Sequence, residues 1–464
     1  MSKDQEGALF PIEDGNYKMD AEPVVRIGIV LEEDKKEELR FQVPSVGYLL
    51  EETGTDVLAN SEVIVRCAGD KITLYDLDGG ILSQDLKRVR IVPPAAARPE
   101  KAGDGVLVRG IVSGRGFHWS KEIDQTLSDV LEFLPRGNKL ILVNEVPLET
   151  YLVGTITGEM SGECPIEFMK AQAVAARSWL LGQTKHPHPG EPFIWCNDDD
   201  CQRYQGTGGW SDRAVQAVSE CRGEVLITES KRYCDARYSK NTGGISEDAG
   251  SVWGDPIEGL ESRVDAPEGS EVQRFFPVTE ENLEEYITGD WLKNTDAFAS
   301  PNVVEEETIT RYLGRVDEPD RYFRWTRKLT QNSLRRSLRQ RGGLTDLEAV
   351  MELRPGKRGK SGRLEELHVS YRASSGEEKR HTIKREFNIR AAMDVTFLYS
   401  SAFLMRPKYG REGELEEVTL HGAGWGHGAG LCQIGALGRA LKGQDYRTIL
   451  MHYYSNVKLE RIYD

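Results

Sequence analysis

The run VNEVPLETYLVGTITGEMSGECPIEFMKAQAVAARSW, Val143 to Trp179, decides how the chain is read. It leaves a strand-like stretch, KLILVNEV, and passes through Pro147, a good first helical residue. Leu148, Tyr151, Leu152 and Ile156 then follow at the three- and four-residue spacing of a buried helix face. Three residues further the stripe lands on Glu159. A carboxylate on a core-facing stripe is costly to ionise unless paired, which is the profile of a proton donor. The plainer alternative is a structural acid at a helix end, or one paired with Arg177. A second helix runs from Pro165 to about Leu181, with Met169, Ala173, Ala176 and Leu180 on one face and alanines small enough for close packing.

Outward from this helix pair the chain is β-rich. Residues 24–93 alternate short runs such as VVRIGIVL, SEVIVRCA, KITLYDL and RVRIVP with Gly and Asp turns, and read as a small N-terminal β domain. Pro93 to Gly103, PPAAARPEKAG, is the linker this reading needs. A second β region, VLVRGIVSGRGFHW and KLILVNEV, delivers the chain to Glu159. Beyond Trp253 the composition turns: eighteen acidic and five basic residues between Asp255 and Asp320, then thirteen basic and three acidic from Arg321 to Arg363. This reads as a charged insertion at about 255–345, with Leu334 and Leu338 forming an amphipathic helix whose arginines face water. The fold class expected is α+β, a β-rich core around a helix pair.

Sixty basic against 75 acidic residues give a net charge of −15, which argues against a general binder of nucleic acid or anionic membrane. Seven scattered cysteines in 464 residues exclude a small disulfide scaffold. The opening MSKDQEGALFPIEDGNYKMD has neither a basic start nor an apolar run, so no signal peptide and no membrane span is read there.

The phrase KAQAVAARSW, preceded by LETYL and GEM, resembles the core signature of the sporulation stage II protein D and amidase enhancer family (SpoIID/LytB). Many members have tryptophan where this chain has Cys164. A second resemblance lies in GAGWGHGAGLCQIGALG, Gly422 to Gly438, similar to the family's His-Gly-x-Gly-x-x-Gln-x-Gly-Ala, with Cys432 where serine is common. CQRYQG, Cys201 to Gly206, resembles a segment lining the family's glycan groove, and ARYSKNTGGISEDAGSVWG resembles a further family pattern, with Ser239 where many members have histidine. The likeness spans residues 105–460.

What the resemblance implies is a lytic transglycosylase acting on peptidoglycan glycan strands between N-acetylmuramic acid and N-acetylglucosamine. It makes Glu159 the catalytic acid and gives Arg177, Gln202, Tyr204, Ser239, His427 and Gln433 substrate-side roles. The alternative is a noncatalytic amidase enhancer or glycan-binding cell-wall protein with a cell-wall amidase as partner. Both imply the cell envelope. A hydrolase would need a second carboxylate at a defined separation, for which Glu163 and Asp200 are candidates. No cofactor is required for the chemistry. Cys196 and Cys201, with His186 and His188 just upstream, are donors zinc prefers, and some clostridial relatives bind zinc in this region; a structural zinc, a disulfide or two free thiols all fit the spacing.

Overall fold

The computed structural model describes residues 10, 17–52, 54–57, 59–94, 98–117, 119–314, 317, 320–411 and 413–464. The fold is α+β, and the chain divides into two units: unit 1 is drawn from Met1–Val225, Arg311–Glu318 and Glu460–Asp464, and unit 2 from Leu226–Thr310 and Pro319–Leu459.

Unit 1 is built on two sheets. The first has seven strands, in the order β13, β1, β12, β11, β8, β3, β4. These are β1 (Val24–Val30), β3 (Tyr48–Leu50), β4 (Thr55–Val57), β8 (Val89–Val92), β11 (Val130–Arg136), β12 (Lys139–Pro147) and β13 (Trp195–Cys196). The second runs β10, β9, β2, β5, β6, β7, with β2 (Glu38–Gln42), β5 (Glu62–Ala68), β6 (Lys71–Tyr75), β7 (Ile81–Leu86), β9 (Val106–Ser113) and β10 (Lys121–Leu127). The Phe41 and Phe133 rings, one from each sheet, stack at 5.4 Å. The expected separate β domain over 24–93 is corrected here: β1 pairs with β12, β8 with β11 and β2 with β9. Strands on either side of the Pro- and Ala-rich stretch thus share both sheets. Composition marks where a chain crosses the surface; strand pairing, which is non-local, decides where a domain ends.

β12 is a central strand, paired on both sides, and runs straight into helix α1 (Leu148–Glu159). Pro147 stands at φ −57° and ψ 143°, and supplies the entry. Every α1 residue except Thr150 is buried. The single stripe expected from periodicity is therefore one side of a helix covered all round. Helix α2 (Ile166–Leu181) packs on α1 with a buried run of Ala171, Ala173, Ala175 and Ala176, and on α3 (Asp212–Glu220).

Unit 2 contains two three-stranded sheets. Leu415–Ala423 lies between Arg324–Thr330 and Phe403–Tyr409, and Glu366–Ala373 between Leu347–Pro355 and Glu378–Lys384. Their core includes Trp325, Leu334, Leu338, Val350, Leu367, Ile389, Phe403 and Leu420. The helix Gln331–Gln340 starts with a reciprocal cap between Thr330 and Ser333, buries Leu334 and Leu338, and leaves Arg336 and Arg339 exposed. The stretch 255–345 is consequently no separate insertion: most of it is unit 2 itself, and 311–317 returns to unit 1.

Candidate active site

Glu159 is the last residue of α1, 9 % exposed. The helix stops because Met160 turns to extended backbone (φ −136°, ψ 167°) and bridges to Leu313, while the Ser161 N–H donates to the Tyr312 carbonyl at 2.9 Å. The Glu159 Oε1 accepts the backbone N–H of Arg203 at 3.0 Å. Arg203 in turn reaches across two acids: Nε donates to Asp199 Oδ1 and Nη1 to Asp317 Oδ1, each at 2.5 Å. Burial disfavours the Arg203 charge, but Asp199 and Asp317 outweigh it and hold the guanidinium well above its ordinary range.

The segment that presents this N–H is laced into unit 1. Asp198 accepts from the backbone N–H groups of Gly114 and Arg115 at 3.0 and 2.8 Å, and the Arg115 side chain binds Asp34, Asn197 and Asp198. Gln202 accepts from the Tyr151 hydroxyl at 2.9 Å and donates to the Ala176 carbonyl at 3.3 Å. The Tyr204 hydroxyl donates to Asn144 at 2.8 Å. Both side chains are 1 % exposed, so neither the hydrogen bond to sugar nor the aromatic platform expected of them is at the surface. With Gln202 and Tyr204 buried, the residue between them turns its side chain to the acids. Two glycines of α1 make the close passage possible. A Cβ on Gly154 would lie 2.6 Å from the Tyr204 ring, and one on Gly158 2.3 Å from the Arg203 carbonyl oxygen.

Arg177, expected on the substrate side or against Glu159, does something else. It has no exposed side-chain surface and forms a forked pair with Glu149, Nε to Oε1 at 3.0 Å and Nη2 to Oε2 at 2.6 Å, while Nη1 donates to the Glu224 carbonyl at 2.7 Å. Burial works against its charge and Glu149 more than compensates. Tyr463 and the Gly223 N–H also donate to Glu149. This is a structural ion pair locking α1 to α2. Of the second carboxylates considered, Glu163 is exposed and pairs with Arg311 at 3.4 Å, and Asp200 is exposed.

Ser239, His427 and Gln433 belong to unit 2, where they lie near one another. Ser239 pairs with Cys432, next to Gln433, and a Cβ on Gly426 would be 3.3 Å from the Ser239 Cβ. Gln433 opens the helix Gln433–Leu441 and is buried. Cys432 caps this helix, its Sγ accepting the Gly435 N–H at 3.3 Å. The His427 Nδ1 accepts the Ala429 N–H at 3.1 Å, and its ring lies 4.9 Å from that of Trp253, over which the Arg237 guanidinium sits at 4.1 Å. Burial, then Arg237, Arg390 and Arg363, push His427 down to about 3, so the imidazole is neutral at ordinary pH.

His188, Cys196 and Cys201 meet in unit 1, their ligand atoms all within 4.8 Å of one another and His188 Nε2 3.3 Å from the Cys201 sulfur. All seven cysteines are thiols. The hydrogen bond from Cys201, against burial and with help from His188, holds Cys196 down at about 6, and Cys201 rises in consequence. His186 accepts the His188 N–H at 3.2 Å through Nδ1.

A family model described as Stage II sporulation protein matches residues 136–227, the span holding β12, α1, α2 and the Arg203 segment. Over this span the chain is similar to the stage II sporulation protein D and amidase enhancer family. Residues 260–430 match a domain of unknown function (DUF8618). An uncharacterised protein of Brachyspira hyodysenteriae is 25% identical over 329 residues, 71% of each chain. The amidase enhancer of Bacillus subtilis is 25% identical over 315 residues, 66% of this chain and 40% of that protein. Stage II sporulation protein D of Bacillus amyloliquefaciens is 28% identical over 134 residues, 26% of this chain and 39% of that protein. This chain thus spans less than half the length of the latter two. Among the described residues no helix is long and apolar enough to cross a membrane.

Proposed function

We propose that this protein is a lytic transglycosylase that cuts peptidoglycan glycan strands between N-acetylmuramic acid and N-acetylglucosamine, and that it works in the cell envelope. The observation that carries the reading is Glu159: an acid at a helix end, nearly enclosed, with one oxygen held by a backbone N–H. Glu159 protonates the glycosidic oxygen as an oxocarbenium-like state develops, then takes the proton of the C6 hydroxyl, which closes on C1 to a 1,6-anhydro sugar. One carboxylate performs both steps. Asp199 and Asp317 are engaged by Arg203, which suits that chemistry better than a hydrolase needing a second acting carboxylate. In unit 2, Ser239 and Gln433 are buried, so glycan contact there falls to His427 and to the Trp253 ring beside it.

Cys196, Cys201 and His188 fit zinc in donor type and proximity. Such an ion would tie the two ends of the CNDDDC loop together and take no part in the reaction.

The test is mass spectrometry of glycan strands incubated with the protein and with Glu159→Gln. Products one water lighter than hydrolysed ends, absent from the variant, support the reading; reducing ends would replace it with a hydrolase. The relative named amidase enhancer sustains a second reading, a noncatalytic enhancer, which intact strands alongside stimulation of an added cell-wall amidase would favour.

A further inference from the structure

Arg203 touches Glu159 with its backbone, while its side chain is spent on two acids that the reaction does not use. We propose that Asp317 and Asp199 act, through Arg203, as positioning residues for Glu159; this rests on the reading of Glu159 as the acid.

The Arg203 peptide is fixed from three directions. Its guanidinium is spanned by Asp199 and Asp317. Its neighbours Gln202 and Tyr204 are anchored in the core by Tyr151, Ala176 and Asn144. Its carbonyl lies flush with Gly158, one residue before Glu159. An N–H can only donate, so Oε1 must accept in both protonation states of Glu159. That bond favours Oε2 as the oxygen that carries the proton, and it holds one side of the carboxyl in both states. Displacements of about 1 Å at such a group cost on the order of a hundredfold in rate.

Asp317 links this to the helix end. It arrives on the segment whose Leu313 bridges Met160 and whose Tyr312 accepts from Ser161, and the Gly314 N–H donates to its Oδ2 at 3.3 Å. A Cβ on Gly314 would lie 2.5 Å from the Gly158 carbonyl oxygen. One short segment therefore fixes both the backbone carrying Glu159 and the arginine whose N–H holds it.

The experiment follows the Arg203 amide in protein labelled with ¹⁵N-arginine, the signal being assigned by its loss in Arg203→Lys. In wild type and in Asp317→Glu this amide shows a pH-dependent shift that Glu159→Gln abolishes. In Asp317→Ala and the milder Asp317→Asn the response falls at least twofold while the remaining arginine amides keep their positions; adding Asp199→Ala removes it. Cleavage in Asp317→Asn falls in kcat by roughly tenfold or more with KM nearly unchanged, and Asp317→Glu restores it. An unchanged amide response in Asp317→Ala would overturn the positioning role. The expected amide behaviour together with a wild type that leaves strands intact would sink the proposed reaction and leave the positioning role standing.

Discussion

Gly158 and Arg203 meet with no space for a side chain between them: a Cβ on the glycine would stand 2.3 Å from the arginine's carbonyl oxygen. Backbone yields less readily than the tip of a side chain. Gly158→Ala is therefore expected to push the 203 peptide off the helix, stretch its bond to Glu159 and lower cleavage by roughly tenfold or more, at a stability cost of about 1–3 kcal/mol. Gly154→Ala would meet the Tyr204 ring and the Gly206 carbonyl at 2.6 and 2.7 Å, and should show a similar stability cost with a smaller effect on rate. Urea unfolding and glycan cleavage, measured on both variants, separate the two effects.

Removing one partner of a buried ion pair leaves the other charge uncompensated. Glu149→Ala should destabilise unit 1 by roughly 3–5 kcal/mol, because the Arg177 guanidinium it abandons has no route to water. Glu149→Leu combined with Arg177→Met should cost less than Glu149→Ala alone. Equilibrium unfolding of the three proteins decides this, and a single variant that unfolds like wild type would refute the structural assignment of Arg177.

Metal analysis of protein purified without chelator should find about one zinc per chain. Cys196→Ser or His188→Ala should release it and lower the unfolding temperature without changing the product ends. Zinc-free protein with both thiols freely alkylated would reject the site.

Two histidines make unit 2 acid-sensitive. Burial first, and the arginines around it second, hold His427 down at about 3; burial holds His452 down at about 4, Arg439 and Arg263 adding to it and Asp265 opposing. Unfolded, each titrates near 6.5. Above that pH both states are neutral and nothing is lost. As pH falls from about 6.5 toward 4, the unfolded chain binds protons that the native chain refuses, and stability drops by an amount on the order of 2–3 kcal/mol for each histidine. His452→Gln should flatten the pH dependence of the unfolding midpoint over that window; an unchanged slope would contradict the burial assigned to it.

Local signals were legible and non-local ones were not. The entry of α1 at Pro147, the end of the apolar series at Glu159 and the leucines of the 331–340 helix all follow from spacing within a few residues. The β domain over 24–93 failed because β1 and β12 are more than a hundred residues apart, and no composition shift reports which strand a strand will choose. Gln202 and Tyr204 were read as sugar-facing groups and are buried; the arginine between them carries the contact to Glu159. A signal for that contact did exist in the Gly154 and Gly158 spacing of four, which puts both glycines on one face of α1 and leaves it flat. Asp317 had none, since its importance depends entirely on where the chain returns.

That return sets a timetable for synthesis. Glu159 leaves the ribosome about 150 residues ahead of Asp317, an interval of roughly 8–30 s at ordinary elongation rates. Until the 311–317 segment emerges, Met160 lacks its bridge and Arg203 lacks one of its two acids. A nascent or truncated chain that already contains the whole of residues 136–227 would thus carry Glu159 without its full support, so that the surroundings of this carboxylate are completed only when the distant part of the polypeptide has been made.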